Sequence, residues 1–205
     1  MSRTVLDRQK EVVNSQTIGR SVLSYYNILV FTDPVKNLKA FQLEENNIVA
    51  DLGAGTGFYS IAAAQMVPRG KVYAVEVQKD FVKTVSNKAK EAHVSNIEAL
   101  WGDIEKVGGT NIKDGTVDAV IVSNVLFQVE HRDQFIEEAK RIMKPGGKLL
   151  LIDWTAGVSV MGPNAKDFMP KKSAQEMFEK KGFVHDRDID AGVQHYGMIF
   201  KKQAN

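Results

Sequence analysis

The chain has 205 residues, enough for one domain with a sizeable core. Its 27 basic and 25 acidic side chains leave a formal charge of +2, short of what a dedicated nucleic-acid-binding domain carries. There is no cysteine, which removes disulfides, thiolate metal sites and cysteine nucleophiles, including the covalent-cysteine route to pyrimidine 5-methylation.

The first residues, Ser2 to Lys10, are polar and charged and do not resemble a signal peptide. Val22 to Phe31 is apolar but broken by Ser24 and Asn27, and falls far short of the ~20 residues that cross a bilayer. A cytoplasmic protein is expected. Residues 1–32 are read as an N-terminal helical lid, and residues 33–205 as the main domain.

After Thr32, strand patterns alternate with helical ones. Asn47 to Asp51 reads as the first strand. Phe58 to Met66 is an alanine-rich helix ended by Pro68 and Gly70. Lys71 to Val77 is a β-branched strand. Lys79 to His93 is a helix with Val82, Val85, Ala89 and Ala92 on one face. Ile97 to Trp101 is a third strand, in which Trp101 is expected to pack into the core. Val117 to Ser123 is almost continuously apolar, as a central strand covered on both faces should be. Arg132 to Met143 is an amphipathic helix with Phe135, Ala139 and Ile142 in one stripe and a Glu137–Arg141 pair on its surface.

Pro145-Gly146-Gly147 is expected to stop that helix before a fifth strand, Lys148 to Trp154. Ser173 and Glu176 suggest a capping box for a helix ended by Gly182. Two closing runs, Phe183 to Ile189 and Tyr196 to Lys201, are separated by a loop too short for a crossover. They must therefore pair antiparallel. The fold class that follows is α/β, a doubly wound, mostly parallel seven-stranded sheet with a closing antiparallel hairpin.

The stretch with most chemical content is Val49-Ala50-Asp51-Leu52-Gly53-Ala54-Gly55-Thr56-Gly57. A dinucleotide fingerprint requires G-x-G-x-x-G. Counted from Gly53, the sixth position here is Phe58, and the third glycine arrives one residue early. Glycines at alternate positions allow a sharp turn and leave main-chain amides bare at a helix start. Farther on, Glu76 ends the second strand, where a carboxylate can accept both hydroxyls of a ribose. Trp101-Gly102-Asp103-Ile104 follows the third strand, and Ser123-Asn124-Val125-Leu126-Phe127 the fourth.

The D-x-G-x-G-x-G pattern resembles motif I of the class I S-adenosylmethionine (SAM) dependent methyltransferases. Lys144-Pro145-Gly146-Gly147 resembles their turn before the fifth strand. The match extends over roughly Asn47 to Ile152 and is nearest to the ubiquinone/menaquinone-type group. That resemblance implies a Rossmann-like methyltransferase fold, SAM as cofactor with S-adenosylhomocysteine (SAH) as product, and no metal. It implies that Asp51, Gly53, Gly55 and Gly57 meet the methionine end, Glu76 and Gln78 the ribose, Asp103 and Ile104 the adenine, and that Asn124 faces the methyl group. The substrate pocket is expected from Tyr25, Tyr26, Phe127 and Trp154, with His195 and Asp153 as candidate bases.

The N- or D-P-P-[YF] motif of amino-group nucleic-acid methylases is absent, so Asn124 does not indicate that chemistry. The expected activity is methyl transfer to a small, partly apolar acceptor by in-line displacement. A protein or RNA acceptor stays open, with Lys166, Lys171 and Lys172 as phosphate contacts. So does a non-catalytic module that binds an adenosine cofactor. Oligomeric state is not encoded in any of these motifs.

Overall fold

A computed structural model describes residues 32–155 and 168–203. Of the expected lid only Thr32 is among them, so Tyr25 and Tyr26, like Lys166, lie outside the described residues.

The elements run α1 (Pro34–Phe41), β1 (Ile48–Leu52), α2 (Phe58–Met66), β2 (Lys71–Glu76), α3 (Lys79–Glu91), β3 (Ile97–Trp101), β4 (Val117–Ser123), α4 (Arg132–Ile142), β5 (Met143–Trp154), α5 (Lys171–Lys180), β6 (Phe183–Ile189) and β7 (His195–Lys202). The seven strands form one sheet in the order β3-β2-β1-β4-β5-β7-β6. Strands β1 to β5 pair parallel, and β7 is antiparallel to both β5 and β6. Chain direction of travel across the sheet reverses between β1 and β4. In an open α/β sheet, the crevice beyond the strand carboxyl ends at such a point is where ligands bind.

Side chains alternate across the sheet and build a core on each face. One holds Leu52, Val120, Val122, Leu149, Leu151, Met198 and Phe200 against Phe135, Ile136 and Ala139 of α4 and Phe178 of α5. The other holds Val49, Val72, Ile121, Leu150, Ile152 and Ile199 against Leu38 and Phe41 of α1 and Ala62 and Ala63 of α2. The small alanines let α2 lie close to the sheet, directly behind the glycine turn.

Several local expectations are corrected. β5 begins at Met143, and Pro145-Gly146-Gly147 lies within it as an irregularity in its pairing with β4, between Val117–Met143 and Ala119–Lys148. Proline has no N–H for the ladder and Gly146 takes a φ of +73°, so the strand bulges there instead of starting afterwards. α5 starts at Lys171 behind Pro170 with no side-chain cap, so Ser173 and Glu176 form no capping box. α3 stops at Glu91, and His93 beyond it has a φ of +54°.

Arg141 bonds to Glu138 and Asp114, while Glu137 pairs with Lys181 at 3.2 Å, so the expected Glu137–Arg141 pair is absent. Trp101 is 58% exposed. Its indole N–H donates to the Val77 carbonyl at 2.8 Å and Lys79 lies over its ring, which fixes it on the surface and not in the core. α1 was not foreseen, although Asp33-Pro34 carries its signature: the Asp33 carboxylate accepts the Lys36 amide at 3.0 Å, and proline opens the first turn.

Candidate active site

Asp51, the glycine turn, Glu76, Gln78, Asp103, Ile104 and Asn124 all stand at the carboxyl ends of β1 to β4, around the reversal in strand order. Gly53, Gly55 and Gly57 have φ of +78°, +52° and +84°, conformations that L side chains rarely adopt. Their surroundings differ. A Cβ at Gly53 would stand 2.7 Å from Val125 Cγ2, with Ile104 on the same side, and one at Gly57 would crowd Val85. One at Gly55 would meet nothing within 4 Å among the described residues. The middle glycine therefore borders open space, and the outer two are required by packing. Within the turn, the amides of Gly53 and Ala54 both donate to the Val75 carbonyl at 3.0 Å.

Glu76 braces the turn from the end of β2. Its Oε2 accepts the Gly55 amide and its Oε1 the Gln78 amide, each at 2.9 Å. Each oxygen keeps a second lone pair. Asp51 is 2% exposed, and its Oδ2 accepts the Ser60 hydroxyl from the first turn of α2. Burial pushes the Asp51 carboxyl up to about 7, against the stabilising Ser60 bond, and the neighbouring Glu76 charge adds to the rise. Ser60 was not singled out from the sequence; a hydroxyl one turn into the helix behind a glycine loop is the signal that could have found it. Its neighbour Tyr59 is also buried, its phenol bonded to Thr32 at 2.7 Å and Asn37 at 2.8 Å.

After β3, the Asp103 side chain is exposed and accepts the Glu105 amide at 2.9 Å. After β4, Asn124 has a φ of +58°, a position that asparagine tolerates better than most residues. Its amide donates to the Ile152 carbonyl at 2.9 Å, while its side-chain Oδ1 is buried without a partner among the described residues. Phe127, three residues on, is half-buried.

The remaining candidates lie next door, where β5 ends and β7 begins. Trp154 is opposite His195 and Asp153 opposite Tyr196 in the antiparallel register. The Trp154 and His195 rings are 4.3 Å apart at 39°. Alternation puts Trp154 and His195 on the α1/α2 face and Asp153 on the α4 face, so the two candidate bases do not converge on one proton. His195 is 8% exposed, contrary to the exposure usual for a lone histidine beside a turn. Desolvation lowers its pKa to about 4, so it is neutral at pH 7, and its Nε2 has no partner among the described residues.

Asp153 is 1% exposed and is gripped by main chain: Oδ2 accepts the Leu126 amide at 2.8 Å and Oδ1 its neighbour Trp154's amide at 2.7 Å. Burial raises its pKa to about 6 despite those bonds. The Gln194 Oε1 and Tyr196 Oη atoms are also buried without partners among the described residues. Among the described residues, no three His, Cys, Asp or Glu side chains group as a metal site, and no helix is long and apolar enough to cross a membrane.

A family model described as a methyltransferase domain matches residues 43–203. A demethylmenaquinone methyltransferase of Listeria monocytogenes is 29% identical over 82% of this chain and 84% of its own length. A ubiquinone/menaquinone biosynthesis C-methyltransferase of Pseudomonas entomophila is 28% identical over 62% of this chain and 52% of its own. The crystal structure of a SAM-dependent methyltransferase from Aquifex aeolicus superposes with a TM-score of 0.80 at 27% identity, covering 98% of this chain and 99% of that one. The parallel sheet with its glycine turn at the strand reversal, the antiparallel close and a family match over most of the length agree: the chain belongs to the class I SAM-dependent methyltransferases.

Proposed function

We propose that this SAM-dependent methyltransferase acts on a small, partly apolar aromatic acceptor of the quinone type. The observation that carries the acceptor class is the similarity to demethylmenaquinone methyltransferases over most of both chains. The ring-lined end of β5, where Trp154 packs at a tilt against His195, supports it.

The residues present suit SAM. The space beside Gly55 is open and two carboxylates stand within the same crevice; the amides of Gly53, Ala54, Gly55 and Gly57 are bonded within the fold, which leaves that of Thr56 and those of the first turn of α2 to face a ligand. In this reading the Gly55–Gly57 turn holds the methionine carboxylate and Asp51 the ammonium group. Glu76 accepts the ribose hydroxyls on its free lone pairs, and Gln78 lines that edge. Asp103 takes the adenine amino group, Ile104 flanks the ring and Asn124 borders the reacting end. Bound there, SAM supplies an electrophilic methyl group on a sulfonium.

The chain's own part is orientation, which can lower a barrier by ~7–11 kcal/mol. Because the sulfonium charge disappears on transfer, an anionic acceptor pocket would favour the reactants, and a neutral one does not. Phe127, Trp154 and neutral His195 make that pocket. His195 Nε2 receives the acceptor's proton. Asp153 fixes the Leu126 and Trp154 backbone around it.

The test is transfer of labelled methyl from SAM to demethylmenaquinone, offered in oxidised and reduced forms, beside RNA and protein of a cell extract. Label in the quinone alone is expected. Label in RNA or protein and none in the quinone would overturn the acceptor class.

A further inference from the structure

Residues 102–116 connect β3 to β4 and carry Asp103 and Ile104. A connection of this length has no ladder to hold it, and a carboxylate from α4 does so instead. Glu138 is fully buried. Its Oε2 accepts the Gly108 amide at 2.7 Å, and its Oε1 accepts the Thr110 amide at 3.1 Å together with the Thr110 hydroxyl. Those two amides flank Gly109, whose carbonyl accepts the Asp103 amide at 3.0 Å. There is no slack between the strands of this loop: a Cβ at Gly109 would stand 2.2 Å from the Asp103 carbonyl oxygen, and one at Gly102 would stand 2.8 Å from that of Gly109.

Arg141 holds the same carboxylate from behind, Nε to Oε2 at 2.7 Å and Nη2 to Oε1 at 2.8 Å, and also donates to the Ile112 carbonyl at 2.8 Å. Burial alone would raise the Glu138 pKa; the bonds from Arg141, Thr110 and Gly108 overcome that and keep it charged. A second anchor lies on the other side of Ile104, where Glu105 Oε2 accepts the amides of Glu130 at 2.8 Å and His131 at 2.6 Å. The stretch holding Asp103 and Ile104 is thus tied at both ends to α4 and its entry.

We propose that Glu138 is a positioning residue for cofactor binding, acting through Gly109 to hold Asp103 and Ile104 at the adenine end of the crevice. This rests on the assignment of Asp103 and Ile104 given above. No contact between Glu138 and the cofactor is involved, so the effect must be transmitted by the loop.

The experiment is a double-mutant cycle on the full chain, read by calorimetric titration with SAH and by the kinetics of SAM. Glu138→Gln keeps the shape but turns an amide toward main-chain donors. It is expected to weaken SAH binding about tenfold or more and to raise the KM for SAM while kcat at saturating SAM stays within about twofold. Asp103→Ala is expected to weaken SAH binding too, and the double variant should lose clearly less than the product of the two single losses, because Glu138 acts in part through the Asp103 contact and only the Ile104 part remains to be lost. Losses that multiply in the double variant, or unchanged SAH affinity in Glu138→Gln, would overturn the proposal. If Asp103→Ala alone leaves SAH binding intact, the adenine assignment itself fails and the proposal falls with it, whatever Glu138→Gln does. Should Glu138→Gln not fold, Thr110→Val removes one bond to the carboxylate and is expected to show the same non-additivity with Asp103→Ala; unchanged SAH affinity there is the overturning result.

Discussion

Asp51 and Glu76 lie at the ends of adjacent strands and both are almost wholly buried, but Glu76 accepts the amides of two residues, whereas at Asp51 burial outweighs the side-chain and main-chain bonds from Ser60. The folded pKa of Asp51, about 7, lies above the unfolded value of 3.8. Such a group stabilises the fold below the unfolded pKa, and the contribution is lost as pH rises through the folded one. Asp51→Asn should therefore match the parent near pH 4 and exceed it in stability at pH 8, by about 4 kcal/mol at most, in urea unfolding at the two pH values. The same variant should bind SAH more weakly, since its ammonium partner is gone.

Glu76→Ala should lose both the turn brace and the ribose acceptor, with SAH affinity falling by at least about tenfold in titration calorimetry. His195 behaves in the opposite sense to Asp51. It is depressed from 6.5 to about 4, so at saturating SAM the acceptor kcat/KM should show no inflection near pH 6.5. An inflection there would mean that the ring is hydrated and not the buried neutral base. His195→Gln should cost about 10²–10⁴-fold in kcat with little change in SAH binding. At this scale the sequence displayed the acidic residues and their strand-end positions. Burial, and with it every pKa shift, depends on what folds over a residue from elsewhere in the chain. That is why neither the Ser60 partner of Asp51 nor the burial of His195 is evident from the sequence.

The three glycines differ at the level of the element they build. Gly53 and Gly55 both have positive φ, but only Gly53 has a neighbour, Val125, in the way of a side chain. Gly53→Ala should combine left-handed strain with a clash and lower stability by about 2 kcal/mol or more, measured by denaturant unfolding without ligand. Gly55→Ala should cost only the strain, about 1 kcal/mol, yet lose more in SAH affinity than Gly53→Ala loses per unit of stability, because its methyl group enters the crevice. Equal effects on both measurements would show that the space beside Gly55 is not a binding space.

The spacing of these glycines was legible because a tight turn leaves few residue types that fit. Strand and helix identities were legible from period, and their cores confirm it: Phe135, Ala139 and Ile142 all face inward. What could not be read were ends and pairings. Glu137 and Glu138 are adjacent glutamates, and either is in reach of Arg141 along a helix. The choice of Glu138 depends on the 108–110 backbone arriving from another part of the chain. Ser173 and Glu176 had the spacing of a cap, but Pro170 and Lys171 let the helix begin earlier.

For the molecule as a whole, the parallel order of β1 to β5 followed from helices between strands, and the antiparallel close from a short loop. The position of β7 between β5 and β6 did not follow, because a hairpin can join a sheet by either arm. Burial on both faces decided it: β7 is buried from His195 to Phe200, whereas β6 is mostly half-buried or exposed. A ligand that binds only this folded arrangement stabilises it by mass action. SAH at a hundredfold its dissociation constant should add about 2.7 kcal/mol in thermal or chemical unfolding, and NAD at equal concentration none.

The insertion of β7 has a consequence for how the chain matures. During synthesis, everything up to β6 emerges before the strand that will separate β6 from β5. Until residues 195–202 arrive, β6 has no neighbour and β5 presents a bare row of amides and carbonyls along one side. A nascent or truncated form ending before His195 is therefore an open template for pairing with other chains, and its off-pathway assembly is governed by the arrival of β7 and not by the cofactor crevice at all.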